Sequence, residues 1–293
     1  MTKTRTWTVL ELINWSKDYL EQKGFENARL EVELLLSHSL GMPRVELYVQ
    51  FERLMSAAEL AEFKAFFKRR LEGEPVQYIT GKAAFMLGEF EVGPAVLIPR
   101  PETEALTEVV LRFLSEQPVD APVVADIGTG SGVIAVTVAM KMPRAAVYAT
   151  DVSGEALELA ARNAEKAEVA ERVTFLEGET LQPLHGNGLA GGVTAVVSNP
   201  PYIPTGDLAG LPDEVREFEP RAALDGGEDG LDCIRVLVQD GPDVLAVGGF
   251  MALEVGDGQA ETVAGLMRER LQDVEIHKDY AGRDRIVTGW KRG

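Results

Sequence analysis

Several residue types are scarce in this sequence, and each shortage excludes a class of site. The single cysteine, Cys233, excludes an internal disulfide and a metal site built from several thiolates. The three histidines, His38, His185 and His277, lie far apart and share no metal-ligand spacing, so we predict no metal. We expect Cys233 to be a small buried residue of an apolar helix, and the histidines to be structural.

Basic residues and long apolar runs are also in short supply. Lys and Arg number 29 against 47 Asp and Glu, and the net charge of −18 argues against a broad nucleic-acid footprint, which needs clustered cations. No apolar run approaches the roughly 20 residues of a membrane span, and the N-terminus has no signal-peptide pattern. We therefore expect a cytoplasmic protein without a membrane partner.

Residues 1–73 have the pattern of a small helical domain. Two capping boxes, which start at Thr8 and Ser56, mark the beginnings of helices. Asn27 is placed to cap another helix, and Pro43 to open a short one. Apolar residues recur at helical spacing, and they favour a core, although a surface for docking a partner stays open. They include Leu30, Leu34, Leu35, Leu36, Leu60, Phe63, Phe66, Phe67 and Leu71.

Residues 74–104 change to short strands and turns rich in glycine and proline, and they predict a linker that contains a β-hairpin. From residue 105 to 293, strands and helices alternate, which predicts an α/β fold with a mostly parallel sheet. The predicted strands are 123–127, 146–150, 173–177, 194–198 and 249–255, followed by an antiparallel edge at 274–277 and 285–290. The predicted helices are 131–140, 155–167, 230–245 and 258–271.

A glycine-rich turn follows the first predicted strand of this domain. The turn is Gly128-Thr129-Gly130-Ser131-Gly132, and an apolar helix comes after it. Glycines let a ligand approach the backbone, and the start of a helix favours a negative group. A dinucleotide fingerprint would need glycine where Val133 stands, so the pattern disfavours nicotinamide and flavin cofactors. The next strand ends in Asp151, which is placed to accept hydrogen bonds from ribose hydroxyls.

The sequence Asn199-Pro200-Pro201-Tyr202 stands where a later apolar strand ends. The Asn199 side-chain oxygen can accept a hydrogen bond from a planar NH2 group. The prolines stiffen the turn and lack N–H donors, and the Pro200 carbonyl can accept a second hydrogen bond. Tyr202 can pack on the face of a flat group. We interpret the four residues as a clamp for an amide or amino nitrogen.

The three motifs end three strands of one parallel sheet, so they are predicted to meet at one edge. With them, the chain resembles the class I S-adenosylmethionine-dependent methyltransferases that carry Asn-Pro-Pro-Tyr. Within these it is similar to the release factor glutamine methyltransferase family over nearly its whole length. The most specific similar stretches are residues 74–81 with Phe85, 96–104, 219–231, 253–256 and 282–287.

The resemblance implies a Rossmann-like methyltransferase domain that uses S-adenosyl-L-methionine and releases S-adenosyl-L-homocysteine. It implies methylation of the glutamine side-chain amide in the Gly-Gly-Gln loop of peptide chain release factors. The resemblance gives Asn199, Pro200 and Tyr202 catalytic roles, and Pro201 joins them in binding substrate. The cofactor would lie on the glycine turn, Asp151 and Asn199, with Glu179 and Thr180 near the adenine, although Thr180 would give no stacking. Pro99, Arg100 and Thr103 are expected beside it.

Two other substrates stay open. A methyltransferase of nucleic-acid adenine or guanine amino groups would use a similar clamp, but it would need a basic face. A ribosomal protein glutamine is the other alternative. A non-enzymatic helical adaptor would not need an intact glycine turn and clamp. We predict a monomer whose residues 1–73 recognise the partner, and we interpret the acidic stretch 207–232 as a solvated loop.

Overall fold

A computed structural model of the chain describes residues 6–86, 88–117 and 119–293. The chain divides into two compact units, Met1–Gly81 and Lys82–Gly293. The first unit therefore extends eight residues beyond the predicted end of the helical domain at residue 73.

The first unit is helical, as predicted. Its helices are α1 (Val9–Gln22), α2 (Ala28–Leu40), α3 (Arg44–Val49), α4 (Ala57–Leu71) and α5 (Val76–Thr80).

Both predicted capping boxes are present in this unit, at Thr8 and at Ser56. Asn27 does occupy the N-cap of α2, but its side chain makes no capping hydrogen bond, which differs from the prediction. Leu35 and Leu36 lie in the core, whereas Leu30 and Leu34 of the same helix are exposed.

The stretch 74–104 departs from the predicted strands and turns at both of its ends. Val76–Thr80 is the helix α5, because Pro75 opens it and Gly81 closes it in a left-handed conformation. The hairpin is present, with β1 (Lys82–Phe85) antiparallel to β2 (Gly88–Glu91). A helix that was not predicted, α6 (Pro101–Glu116), then begins with a proline and acidic residues in its first turn, which suit a helix start.

The second unit contains the predicted sheet. Its described strands form one seven-stranded sheet in the order β5-β4-β3-β6-β7-β9-β8. The strands are β3 (Val123–Ile127), β4 (Ala146–Asp151), β5 (Val173–Glu177), β6 (Val193–Ser198), β7 (Leu245–Glu254), β8 (Gln272–Lys278) and β9 (Asp284–Trp290). The first five strands are parallel, and β9 and β8 form an antiparallel edge, which confirms the predicted fold class.

Helices cover both faces of the sheet, and a buried apolar cluster lies on each face. The helices of this unit after α6 are α7 (Val133–Lys141), α8 (Gly154–Lys166), α9 (Gln182–Gly186), α10 (Asp213–Phe218), α11 (Asp232–Val244) and α12 (Ala260–Arg268), and α10 has no buried residue. The short helices α9 and α10 were not predicted. No helix in the described parts of the chain is long and apolar enough to cross a membrane.

The strand order indicates where on the sheet a ligand crevice opens. The chain leaves β3 toward β4 on one side, and β6 lies on the other side of β3. Such a reversal opens a crevice outside the carboxyl ends of the strands, where open α/β sheets bind ligands. The glycine turn, Asp151 and Asn199 all lie at these carboxyl ends.

Candidate active site

A cavity of about 450 Å³ lies at the carboxyl ends of β3, β4 and β6. It brings together the ends of these strands and two loops, one before α6 and one before α11. The predicted site residues that line it are Gly128, Gly130, Asp151, Thr180, Asn199, Pro200 and Pro201. The loops contribute Pro94, Ala95, Val96, Leu97, Pro220, Ala222 and Ala223, and the start of α11 contributes Cys233.

Two glycines of the turn form one wall of the cavity. Gly128 and Gly130 have φ of +72° and +54°, which L side chains rarely adopt. A Cβ on either would meet no atom within 4 Å, so the space in front of the turn is open for a ligand. The turn is held by Gly128 N and Thr129 N, which both donate to Thr150 O at 2.9 Å.

The other residues of the turn are absent from the residues that line the cavity. Thr129 is buried, and its hydroxyl donates to Asp126 Oδ2 at 2.7 Å. Ser131 is buried, and its carbonyl accepts from Asn163 Nδ2 at 2.8 Å. A Cβ on Gly132 would lie 2.9 Å from the Cβ of Ala160, so this glycine lets α7 pack closely on α8.

Asp126 was missed by sequence reasoning, although a carboxyl within an apolar strand was a visible signal. Its Oδ2 accepts from Thr129 Oγ1 and, at 3.0 Å, from the backbone N–H of Ala135. Burial raises the pKa of this carboxyl to about 7, and the two hydrogen bonds oppose that rise. Asp126 thus ties the end of β3 to the turn and to the start of α7.

Asp151 lies at the wall of the cavity, as a ribose acceptor should. Its Oδ2 accepts from Gly130 N at 2.9 Å, and its Oδ1 accepts from Ser153 N at 3.0 Å. A carboxylate has about four acceptor positions, so two remain for ligand hydroxyls. The same residue therefore fixes the glycine turn and offers acceptors beside it.

The clamp residues Asn199, Pro200 and Pro201 also line the cavity, just after the end of β6. Asn199 Nδ2 donates to Thr103 Oγ1 at 2.9 Å, so the Asn199 side-chain oxygen is left as the acceptor. Ser198 Oγ, one residue earlier, donates to Ile127 O at 2.6 Å and joins the ends of β6 and β3. The clamp is therefore braced against both α6 and the strand that carries the glycine turn.

Tyr202 is placed differently from the rest of the clamp. It is absent from the residues that line the cavity, and its ring packs against the apolar cluster that includes residues of α11 and α12. Its hydroxyl donates to Glu254 Oε1 at 3.3 Å, and its carbonyl accepts from Gln259 Nε2 at 2.9 Å. Burial and the charge of Glu254 raise the pKa of the Tyr202 hydroxyl, so it stays protonated.

The predicted adenine residues are separated by the structure. Thr180 lines the cavity, and its carbonyl accepts from Thr150 Oγ1 at 3.1 Å. Glu179 is exposed and is absent from the lining residues, whereas Gly178 just before it is present.

Pro99 and Arg100 belong to the loop before α6, Thr103 lies in the first turn of α6, and none of the three lines the cavity. The lining residues of this loop are Pro94–Leu97. Arg100 Nη2 donates to the buried Glu219 Oε1 at 2.5 Å, and Ile98 N donates to the other oxygen at 3.3 Å. Because Pro220 follows Glu219, this carboxylate joins the two loops that flank the cavity. Burial raises the pKa of Glu219, and Arg100 opposes the rise.

Cys233 is half-buried at the cavity wall instead of fully buried as expected. Burial raises the pKa of its thiol to about 11, so it is not a thiolate nucleophile at neutral pH. His38 packs on Phe66 with ring centroids 4.9 Å apart, and His277 hydrogen-bonds Thr288 at 2.8 Å. In the described residues, no group of three or more His, Cys, Asp or Glu is arranged to hold a metal ion.

Comparisons with known proteins agree with this geometry. Residues 11–81 match the PrmC N-terminal domain family, and residues 101–209 match the Methyltransferase small domain family. A release factor glutamine methyltransferase of Geobacter sulfurreducens is 46% identical over 288 residues, which are 98% of each chain. A relative with the same name from Moorella thermoacetica is 45% identical, and the match covers 92% of this chain and 93% of its own. Another from Chlorobaculum tepidum is 40% identical, and the match covers 98% of this chain and 99% of its own.

This chain belongs to the release factor glutamine methyltransferase family. It is therefore a methyltransferase. Its cavity lies at the carboxyl ends of the strands, where open α/β sheets in general bind ligands.

Solved structures support the fold of this family member. A methyltransferase from Pyrococcus furiosus matches with a TM-score of 0.51 and 21% identity over 70% of this chain and 89% of its own. The hMettl16 catalytic domain, solved in complex with the MAT2A 3'UTR hairpin 6, matches with a TM-score of 0.52 and 12% identity over 68% and 74% of the two chains. At these identities the likeness concerns the fold alone.

Proposed function

We propose that this enzyme transfers the methyl group of S-adenosyl-L-methionine to the side-chain amide nitrogen of the glutamine in the Gly-Gly-Gln motif of peptide chain release factors. The observation that carries the proposal is the clamp: Asn199 lines the same cavity as Gly128 and Gly130, and its hydrogen bond to Thr103 leaves its side-chain oxygen as an acceptor. The names of the relatives support the same substrate.

The cavity suits this cofactor in two respects. The open space at Gly128 and Gly130 is a cradle that any Cβ would fill, and it admits the methionine part. Asp151 retains acceptor positions for ribose hydroxyls. Thr180 and Gly178 line the end toward β5, where we place the adenine.

Bound cofactor supplies an electrophilic methyl group on sulfur. An amide nitrogen is a weak nucleophile because its lone pair is delocalised. Asn199 Oδ1 and the Pro200 carbonyl would each accept one N–H of the glutamine amide, aim the nitrogen at the methyl and stabilise the positive charge that develops there. The N-methylated amide that forms is strongly acidic and can lose its extra proton to water, so no strong general base is needed.

The partner assignment follows from the same proposal. A glutamine on an exposed loop is a common group, and the clamp alone cannot select one protein. We assign recognition of the folded release factor to the helical first unit, in a monomeric cytoplasmic enzyme. A nucleic-acid base or a ribosomal protein glutamine remains the alternative acceptor, and the net charge of −18 disfavours the former.

A labelling experiment tests this assignment. The enzyme is incubated with methyl-labelled S-adenosyl-L-methionine and, in separate reactions, with release factor, ribosomal proteins and DNA. We expect label on release factor alone. Label on DNA or on a ribosomal protein, with none on release factor, would show that release factor is not the substrate.

A further inference from the structure

One buried carboxyl group of the second unit has no role in the mechanism above. Glu254 lies at the end of β7 and is 0% exposed, yet nothing in methyl transfer calls for an acid there. Burying an ionisable group is costly unless its oxygens are hydrogen-bonded. Both oxygens of Glu254 are bonded, and each bond leads toward the clamp: Oε2 accepts from Thr103 Oγ1 at 2.7 Å and Oε1 accepts from Tyr202 OH at 3.3 Å.

Thr103 connects this carboxyl group to Asn199. The Thr103 hydroxyl has one hydrogen and two lone pairs, and its hydrogen is given to Glu254. The hydroxyl can then act toward Asn199 only as an acceptor, and it accepts from Asn199 Nδ2 at 2.9 Å. Thr103 is itself buried, so water does not compete for these bonds.

This chain of bonds sets which end of the Asn199 amide faces the substrate. An ionised carboxylate can only accept, so it fixes the direction of the Thr103 hydrogen. With that direction fixed, the NH2 end of Asn199 must point to Thr103, and its oxygen is left for the cavity. If Glu254 carries a proton, the acid can donate to Thr103, which can then donate to the Asn199 oxygen. The amide would turn over and present NH2 to a substrate NH2.

We propose that Glu254 and Thr103 are positioning residues that hold the Asn199 amide in the orientation that accepts from the substrate amide. We call the hydrogen bonds from Glu254 through Thr103 to Asn199 the relay. The relay also reaches the other end of the clamp, because Tyr202 donates to the second oxygen of the same carboxylate. The identity of the group that the clamp binds rests on the function proposed above. The orientation of the Asn199 amide rests on its hydrogen bonds alone.

The charge state of Glu254 can be changed by pH, and this makes the proposal testable. Burial raises the pKa of this carboxyl to about 7, and Glu102 on α6 raises it further. The hydroxyls of Thr103 and Tyr202 and the charge of Arg285 on β9 oppose the rise. As the pH falls through this value, Glu254 gains a proton and the relay can reverse.

The test reads the Asn199 side chain directly by NMR in the full-length enzyme, labelled with 15N at asparagine. The Asn199 NH2 signals are assigned by their loss in Asn199→Asp, and their shifts are followed across the pH range around the Glu254 pKa of about 7. We expect these signals to titrate in wild type and in Thr103→Ser, which keeps the hydroxyl. They should not titrate in Thr103→Val, which keeps the shape and loses the hydroxyl, or in Glu254→Gln.

Activity is measured on the same proteins. Thr103→Val should lose about tenfold or more in kcat, as expected when a preorganised polar group loses its orientation. Its KM and its affinity for S-adenosyl-L-methionine should change much less than kcat, and Thr103→Ser should restore kcat. Wild-type kcat should fall as the pH is lowered through the Glu254 pKa, and this dependence should be lost in Thr103→Val.

The proposal is overturned if the Asn199 signals do not titrate in wild type, or titrate equally in Thr103→Val. It is also overturned if Glu254→Gln, the second variant should Thr103→Val not fold, titrates as wild type does. If the NMR results hold while the wild-type enzyme places no methyl on glutamine, the proposed function fails and the positioning role stands.

Discussion

Single carboxyl groups hold the turns and loops of this site in place by accepting hydrogen bonds from backbone and side-chain donors. Asp126 fixes the start of α7, Asp151 fixes the glycine turn, and Glu219 joins two loops. Sequence reasoning placed Asp151 at the site but missed the other two. An isolated acid in a strand or a loop does not reveal which distant donors it will meet.

The role of Asp151 can be measured by cofactor binding. Asp151→Ala removes the acceptors at the cavity wall and frees Gly130 N, so affinity for S-adenosyl-L-methionine should fall by about 1.5–3 kcal/mol, as for hydrogen bonds to a charged group. Calorimetric titration gives the affinity. Glu179→Ala is the matched control, because Glu179 is exposed and absent from the cavity wall, and its affinity should not change. Equal affinity in Asp151→Ala and wild type would remove Asp151 from the site.

Glu254 predicts a pH dependence of stability. Its pKa of about 7 in the folded chain lies above the ordinary value of 4.5, so the folded state binds its proton more tightly than the unfolded state. The contribution of Glu254 to the free energy of unfolding is therefore most favourable below about pH 4.5, and it is lost as the pH rises through 7. Across this range the free energy of unfolding should fall by an amount on the order of 3 kcal/mol.

Glu254→Gln removes this titration and leaves Asp126 in place as an internal control. We expect the melting temperature of the variant, relative to wild type, to be higher at pH 8 than at pH 5. Parallel pH profiles of the two proteins would show that Glu254 has no raised pKa.

At the scale of elements, the two loops around the cavity are held together by one ion pair. Glu219 is buried and Arg100 is partly exposed. Breaking such a pair from one side leaves an uncompensated buried charge. Arg100→Ala should therefore lower the free energy of unfolding by about 3 kcal/mol, measured by urea denaturation.

The double variant Arg100→Ala with Glu219→Gln is the control for that loss. It removes the charge as well as its partner, so it should regain part of the stability. No recovery would indicate that the packing of Arg100, rather than its charge, stabilises the loops.

The elements that the sequence predicted well are those with one dominant pattern. The strands β3, β4 and β5 are bounded within one residue of their predicted positions, because each is a short apolar run between turn residues. The meeting of the three motifs could also be predicted, because motifs that end parallel strands of one sheet share one edge. The α6 helix was missed because the glycines and prolines before it dominate the local pattern, although Pro101 itself opens the helix.

The start of β7 shows a different limit. The strand was predicted from residue 249, yet it begins at Leu245 and its register shifts between its pairings with Val193 and Ala195. Gly248 has φ of +73°, and a Cβ on Gly249 would lie 2.8 Å from Ala246 O. The two glycines form an irregularity inside a strand, whereas from sequence they read as its boundary.

At the scale of the whole molecule, the helical first unit carries none of the residues that line the cavity. Apolar side chains remain exposed in this unit, among them Val45 and Val49 of α3. A unit that contributes no residue to the cavity is free for the role proposed above, recognition of a folded partner.

A chain that begins at Lys82 tests this division of labour, because the cut falls between the two compact units. We expect it to bind S-adenosyl-L-methionine and to methylate a short Gly-Gly-Gln peptide as poorly as the full chain does. It should lose the preference for intact release factor. The comparison is kcat/KM on both substrates for both chains, and an equal preference in the two would place recognition in the second unit.

Methyl transfer to intact release factor by wild type and Asn199→Ala tests the proposed reaction most directly, with the methylated residue located by mass spectrometry and with rates and cofactor affinity measured on the same proteins. We expect wild type to methylate the glutamine of the Gly-Gly-Gln motif. We expect Asn199→Ala to bind S-adenosyl-L-methionine with much of its normal affinity but to turn over roughly a hundredfold or more slowly. Methylation at another residue, or an Asn199→Ala enzyme that works at the wild-type rate, would contradict the proposed reaction.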